Sequence, residues 1–372
     1  MADIKFVAPC LLGLEGLVAE NLKGMEAQDV QAQNGRVFFS GDEAILARAN
    51  LHSRYCERIQ IVIGTFKATT FDELFEGTKA LNWERWISAS DAFPVKGYSI
   101  NSKLFSVSDC QSIVKKAVVE RLKSVYNISW FEETGSTYQI AFSIMKDEVT
   151  LTLDTSGVGL HKRGYRPASN DAPIKETLAA AMANISRLRH YHTLYDPFCG
   201  SGTILIEGAM LAHNIAPGIR RSFASEKWDK ISPEIWRQER SRALDMIVRD
   251  TDFIAYGSDI DEHAIALTEL NARRAGVLSK LKLRVRDIKD FERFSEKGTV
   301  ICNPPYGERM LDRRQSEEIY RDMGRAFERM NGWSYSIITA NEQFESFFGR
   351  SADKRRKLYN GMIKCQVYMY FK

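Results

Sequence analysis

The segment Tyr195–Thr203, YDPFCGSGT, decides how the second half of this chain is read. Asp196 ends a short apolar run, Gly200 and Gly202 let the backbone come close to a ligand, and helical periodicity begins near Thr203. A strand that turns through glycines into a helix N-terminus is the ligand-binding corner of a doubly wound α/β sheet. The lysine that completes a P-loop is missing, so a triphosphate ligand is disfavoured.

Outward from this corner the same rhythm repeats. Helical spacing covers 175–188, 203–213, 261–275 and 316–330, and strand patterns cover 193–195, 253–257, 281–285, 299–302 and 335–339. Such alternation calls for a mostly parallel sheet covered on both faces. Residues 216–237 break it and read as an insertion near the site.

Ligands of such sheets lie beyond the carboxyl ends of the strands, so those ends are the places to inspect. Asp259, in YGSDIDEHA, stands where an acidic side chain takes both hydroxyls of a ribose, and Asp261 reads as a helix N-cap. Alone, Asp259 reads equally as a cap; the preceding glycine loop is what favours the ribose. Asp287, in RVRDIKDF, suits the amino group of an adenine or a plain surface turn. The fourth end is Val300–Gly307, VICNPPYG. Pro305 forces Pro304 into an extended shape, so the Asn303 side-chain oxygen and the Pro304 carbonyl are set as two rigid acceptors. An exocyclic amine has its lone pair delocalised into its ring, and it attacks only when acceptors hold its hydrogens as the nitrogen pyramidalises. Tyr306 stacks on the flat base, worth about 1–3 kcal/mol. The loop reads as a clamp for a planar amine.

The first half has shorter elements. A βαββαβ order with an Asn34-Gly35 hairpin signal and an Asp42 helix cap suggests a ferredoxin-like unit over 1–65. A second αβ-rich unit over 66–155 contains a long amphipathic helix at 108–126 and two strands joined at Lys146-Asp147. A basic, glycine- and proline-rich connector over 156–170, including Pro167 and Asn170, leads into the doubly wound domain at 171–372.

With 372 residues, 44% hydrophobic content, 27% charge and a formal charge of +4, the chain reads as a multidomain globular protein that permits a polyanionic partner. Basic pairs recur and a run stands at 354–357; a solvated helix face is the simpler reading of any one pair. The six cysteines contain no CxxC pair, which excludes a zinc ribbon and a disulfide scaffold and fits a reducing cytosol. No uncharged run approaches the roughly 20 residues needed to cross a bilayer, and Glu15 interrupts the apolar opening that a signal peptide would need. The expectation is a soluble cytoplasmic protein without a metal. The His190–His192 pair has no companion ligand motif, and Cys199 and Cys302 read as packing residues.

Taken in order, DPFCGSGT, GSDID, RDIKD and NPPYG resemble the motifs of class I S-adenosylmethionine-dependent amino-methyltransferases. The stretch GLHKRGYRPASNDAPIKETLAAAM is similar to the connector and first helix of the THUMP-domain guanine-N2 RNA methyltransferases, most closely the bacterial enzymes acting on large-subunit ribosomal RNA. SDCQSIVKKAVVERL resembles the THUMP domain itself, and the first unit resembles the ferredoxin-like domain before it. The resemblance covers nearly the whole chain. It implies a Rossmann-like methyltransferase domain with a seven-stranded mixed sheet, preceded by a ferredoxin-like unit and a THUMP domain. It also implies S-adenosylmethionine as cofactor and N2-methylguanosine in RNA as product, with 23S ribosomal RNA favoured over transfer RNA. Asp196, Phe198, Gly200 and Gly202 would line the methionine moiety, Asp259 the ribose, Ile260 the adenine face and Asp287 its amino edge. Asn303, Pro304 and Tyr306 would hold the guanine, and Lys162, Arg163 and Arg166 would hold RNA phosphates. Some relatives carry a second methyltransferase after this point; the chain ends at Lys372, and that second modification is not carried over.

NPPY is shared with adenine-N6 DNA methyltransferases, which favour a long target-recognition insertion; the compact N-terminal half argues for RNA instead. A decayed, merely RNA-binding protein would show a broken NPPY or a missing carboxylate, and neither is seen.

Overall fold

The computed structural model describes residues 3–166, 174–306, 313–328 and 331–371. Pro167 and Asn170 of the connector and Gly307 of the amine clamp lie outside the described residues. The first half runs β1 (Ile4–Pro9), α1 (Glu15–Lys23), β2 (Gln28–Gln33), β3 (Arg36–Gly41), α2 (Glu43–His52), β4 (Gln60–Lys67), α3 (Phe71–Lys79), β5 (Val95–Ile100), α4 (Val107–Tyr126), β6 (Ile140–Met145) and β7 (Glu148–Asp154). Local chemistry sets these limits. Asp42 Oδ1 accepts from Ile45 N at 2.9 Å to start α2, and Thr70 and Glu73 form a reciprocal capping box on α3. Lys146 and Asp147, both at positive φ (53° and 64°), make the tight turn between β6 and β7.

These strands form one sheet in the order β2-β3-β1-β4-β7-β6-β5. The boundary expected at 65/66 falls inside β4, which pairs antiparallel with β1 on one side and with β7 on the other. A bulge between Val62 and Gly64 bends this shared strand. The ferredoxin-like and THUMP-like units are therefore hydrogen-bonded into a single surface.

The second half runs α5 (Glu176–Ile185), β8 (Thr193–Asp196), α6 (Thr203–Ala212), α7 (Pro233–Asp245), β9 (Ile254–Asp259), α8 (Glu262–Ala275), β10 (Leu281–Val285), β11 (Gly298–Cys302), α9 (Arg313–Ala326), β12 (Trp333–Thr339), α10 (Phe344–Phe348), β13 (Lys354–Asn360) and β14 (Ile363–Tyr370). Its sheet has the order β10-β9-β8-β11-β12-β14-β13, parallel except for β14, which is antiparallel to both neighbours. This is the expected seven-stranded mixed sheet, and the strand order reverses between β8 and β11. The basic run at 354–357 lies on β13, an edge strand rather than a helix face, where positive charge discourages pairing with another chain.

The insertion at 216–237 is a strut. Its Gly218 N–H donates to Leu51 O at 2.8 Å, and Ser225 N–H donates to Thr155 O at 3.1 Å. Trp228 stacks on Tyr138 at 4.3 Å and donates its indole N–H to Thr137 O. Just beyond, Glu239 on α7 receives two 2.8 Å bonds from Arg48 on α2 in a buried pair. The apolar core likewise runs from the first sheet into the second without a break. Among the described residues no helix is long and apolar enough to cross a membrane.

Candidate active site

The Asp196–Thr203 corner is built as its sequence suggests, but its glycines do two different jobs. Gly200 and Gly202 both adopt positive φ (53° and 80°). A Cβ on Gly202 would meet Thr268 Cγ2 at 2.6 Å, so this glycine lets the loop lie against α8. Two residues that sequence reading passed over hold the loop there. Thr268 Oγ1 donates to Gly200 O at 2.8 Å, and Asn271 Nδ2 donates to Ser201 O at 2.9 Å. Both are fully buried on α8, and their i, i+3 spacing on an otherwise apolar helix face was the available signal.

Asp259 joins two strand ends. Its Oδ2 accepts from Gly200 N at 2.9 Å and its Oδ1 from Asp261 N at 3.1 Å, so the carboxylate holds the β8 and β9 loops in register. Each oxygen keeps a further lone pair for a ligand. Asp261 caps α8 through His263 N at 2.9 Å. The next side chain, Ile260, is 71% exposed, an apolar surface standing open at the rim. Asp287 Oδ1 caps a 3-10 turn through Lys289 N at 2.9 Å, leaving its second oxygen for a partner.

Asp196 is buried, and its Oδ1 accepts from Phe198 N at 3.1 Å. Burial pushes its carboxyl up to about 8, the Phe198 N–H opposes this, and the nearby Asp259 charge adds to it. Among the described residues no cation pairs with it. Burial also raises the Asp259 carboxyl, against the N–H groups that bond it. The Cys199 and Cys302 thiols are buried and pushed well up, so they stay protonated and pack rather than attack.

On β11, adjacent to β8, the clamp begins immediately after Cys302. Pro304 is buried, while Asn303 and Tyr306 are partly so. The Asn303 oxygen does not face outward unpartnered: it accepts a short hydrogen bond from the Tyr306 hydroxyl. The Tyr306 ring packs into the core with Ile363 and Cys365 of β14 nearby, and Cys365 Sγ lies 3.9 Å from its hydroxyl. Tyr320, on α9, donates to Pro305 O at 3.0 Å and lies 3.1 Å from Thr339 Oγ1, anchoring the loop from behind.

The connector arginines correct one expectation. Arg163 is 3% exposed; it lies against Glu207 of α6 at 3.4 Å and donates to Leu160 O at 2.6 Å and to the Ser53 and Arg54 carbonyls. Arg166 donates to Thr203 Oγ1 at 2.9 Å and Ile174 O at 3.0 Å and pairs with Glu176 at 3.0 Å. Arg163 therefore cannot reach a phosphate and instead joins the two halves of the chain, while Arg166 ties the connector to α5 and to the first residue of α6. A guanidinium suits such buried bridging because its donors fan out to several acceptors. Lys162 alone of the three is exposed. Among the described residues no three His, Cys, Asp or Glu side chains gather as a metal site requires.

Three family models match the chain in order: an RlmL ferredoxin-like domain at 5–60, a THUMP domain at 68–154, and an RMKL-like methyltransferase domain at 163–369. The chain is 43% identical to the Bacillus subtilis protein named "Putative RNA methyltransferase YpsC", across 100% of this chain and 97% of that one. It is 30% identical to "Ribosomal RNA large subunit methyltransferase K/L" of Shewanella baltica, covering 99% of this chain and 53% of the relative, so it spans about half the length of that protein. Two solved structures superpose closely. One, from Listeria monocytogenes, is described as a "predicted N6-adenine-specific DNA methylase" (45% identity, 100% of this chain and 97% of that chain, TM-score 0.94). The other is "SMU.472, a putative methyltransferase complexed with SAH" (39% identity, 99% and 98%, TM-score 0.93).

Proposed function

This chain belongs to the RMKL-like methyltransferase family, and we propose that it transfers a methyl group from S-adenosylmethionine to the exocyclic N2 of a guanine in large-subunit ribosomal RNA. The observation that carries this reading is the meeting of three strand ends at the switch point. Asp259 cross-links the glycine loop after β8 to the start of α8, and the Asn303-to-Tyr306 clamp follows the adjacent β11. The THUMP match at 68–154 supports RNA over DNA as the substrate.

The residues fit the cofactor. Asp196 is a buried carboxylate with no paired cation among the described residues, and the cofactor brings an ammonium and a sulfonium. Asp259 keeps lone pairs for ribose hydroxyls, Ile260 offers an apolar face to adenine, and Asp287 has an oxygen free for the adenine amino group. Phe198, Gly200 and Gly202 shape the wall beside the methionine moiety. When bound, the cofactor supplies an electrophilic methyl carbon on a positively charged sulfur.

The chain's part in the reaction is to hold the amine. Asn303 Oδ1 and the Pro304 carbonyl accept the two N2 hydrogens, which become more acidic as the nitrogen takes on bonding to carbon; this aims fixed acceptors at charge that develops only in the transition state. One hydrogen then leaves to solvent as a proton, and the other remains on the secondary amine. In the resting arrangement the Tyr306 hydroxyl takes one of the two lone pairs of Asn303 Oδ1 and competes with the guanine amine for that acceptor. For the base to stack on Tyr306, that ring must also leave its packing against β14. Residues 66–155 hold the RNA, with Lys162 in the connector that follows them, while 171–372 carry out the transfer.

Incubating the protein with radiolabelled cofactor and separated RNA and DNA fractions, followed by nucleoside analysis, tests this reading. The expected product is N2-methylguanosine in ribosomal RNA. Label only in transfer RNA would move the substrate, and N6-methyladenine in DNA as the sole product would overturn the reading.

A further inference from the structure

We propose that the open face of β9 and β10 is a second seat for the substrate RNA, one that takes the backbone and a base of a single-stranded segment beside the target. The proposal rests on the RNA reading above and adds to it a contact surface on the catalytic domain.

A parallel sheet is normally covered on both faces. Here Leu281 and Leu283 of β10 join the core on one face, while Lys282 and Arg284 point to the other, in register with Tyr256 and Ser258 of β9. Among the described residues no α-helix lies over that second face: the chain passes from β10 to β11 through a three-residue 3-10 turn at Ile288–Asp290 and an irregular stretch. An open, shallow cleft is left, lined among others by Tyr256, Lys282, Arg284, Phe291, Glu292 and Phe294, and by Asp196 and Pro197.

The cleft wall is a stack of planar groups. Tyr195 lies on Tyr256 (5.1 Å, 16°) and Tyr256 on Phe294 (4.9 Å, 25°). The Arg284 guanidinium sits 4.7 Å from the Phe294 centroid, with Arg286 5.6 Å away. Phe294 is still 38% exposed. Arg286 is neutralised by Glu292 at 2.6 Å, but Lys282 and Arg284 have no acidic partner among the described residues. Charges on an edge strand also deter edge pairing, which accounts for lysine and arginine along β10. It does not account for an aromatic stack left open beneath an unpaired guanidinium.

Two unpaired cations beside exposed flat surfaces are what single-stranded nucleic acid uses: phosphates meet the charges, and a base stacks on an aromatic or guanidinium plane. The position suits a substrate strand, because the cleft lining includes Asp196 and Pro197 at the end of β8, the strand adjacent to the one that carries the clamp.

The test is the double variant Lys282→Glu/Arg284→Glu, with Lys282→Gln/Arg284→Gln as the milder form. Binding of a short fluorescein-labelled single-stranded RNA is followed by anisotropy across a salt series. Methylation of ribosomal RNA, affinity for S-adenosylhomocysteine and thermal unfolding are measured in parallel. For two lost phosphate contacts the plot of log affinity against log salt should become shallower by about 1.4. RNA affinity should fall about tenfold or more in the Glu form and less in the Gln form, with S-adenosylhomocysteine affinity unchanged in both. A wild type that methylates ribosomal RNA, paired with variants that match its salt slope and affinity, overturns the seat alone. A wild type that neither binds nor methylates RNA overturns the RNA reading and the seat with it.

Discussion

Replacing Tyr306 by phenylalanine separates the two roles of that side chain. The ring and its packing against β14 remain, and only the hydroxyl that bonds Asn303 Oδ1 is removed. The loop backbone should hold its place, because Tyr320 still donates to Pro305 O at 3.0 Å. A neutral hydrogen bond of this kind contributes about 0.5–1.5 kcal/mol net, so freeing the acceptor lowers the cost of admitting the amine by a factor of about 2 to 12. Single-turnover methyl transfer, at saturating cofactor and varied RNA, reads this apart from product release. Tyr306→Phe should raise kcat/KM by up to that factor, whereas Tyr306→Ala, which also loses the stacking surface, should lower it. If Tyr306→Phe instead slowed transfer tenfold with cofactor affinity intact, the hydroxyl would be acting in the reacting state and the latch argument would fail.

Asp259→Ala should weaken S-adenosylhomocysteine binding by about 1.5–3 kcal/mol, since a charged acceptor is lost along with the tie to Gly200 N; unchanged affinity by calorimetry would refute the ribose assignment. Asn303→Ala should keep cofactor affinity while slowing methyl transfer, and wild-type turnover by the folded variant would refute the clamp. The Asp196 carboxyl, raised from 3.8 to about 8, costs the cofactor-free protein stability as pH climbs across that window, because the folded state holds the proton longer than the unfolded chain does. Asp196→Asn should therefore flatten the fall of the cofactor-free melting temperature over that range, and a fall of unchanged slope would refute it. The same proton must leave for Asp196 to meet a cation, so cofactor affinity should tighten with pH by as much as about tenfold per unit on the acid limb, and Asp196→Asn should abolish that limb. Arg163→Ala should destabilise the fold by about 3–5 kcal/mol by leaving buried Glu207 without its cation, measured by denaturant unfolding, with little change in the salt slope of RNA binding.

Much of the architecture was legible because burial imposes period on sequence. The strand pattern at 281–285 and its neighbours came out as strands and helices within a few residues, and the glycine loop, Asp259 and the NPPY clamp all fall at strand ends. What escaped has a common cause: it depends on which elements meet, and a local pattern does not carry that. Arg163 and Arg166 look like solvated cations until Glu207 of α6 and Glu176 of α5 are brought beside them. Thr268 and Asn271 look like ordinary helix residues until the glycine loop rests on them. The Asn303 acceptor looks free because nothing in NPPY says where the tyrosine hydroxyl will point. The β13–β14 hairpin was masked by its charge, since an edge strand and a helix face both tolerate a basic run.

The strand shared by the two N-terminal units has a metrical consequence. Two modules joined by a pliable tether can each find their own foothold, and the gap between footholds is then loosely specified. Here β4 belongs to both units at once, and the strut at 216–237 braces their common sheet against the catalytic half. On the proposed function the molecule has the properties of a caliper: one jaw grips, the other reacts, and the opening between them is set by the fold. A nucleotide is then selected by its distance from a gripped feature as well as by its own face, and a substrate lengthened or shortened between those two points would present the wrong residue to the clamp.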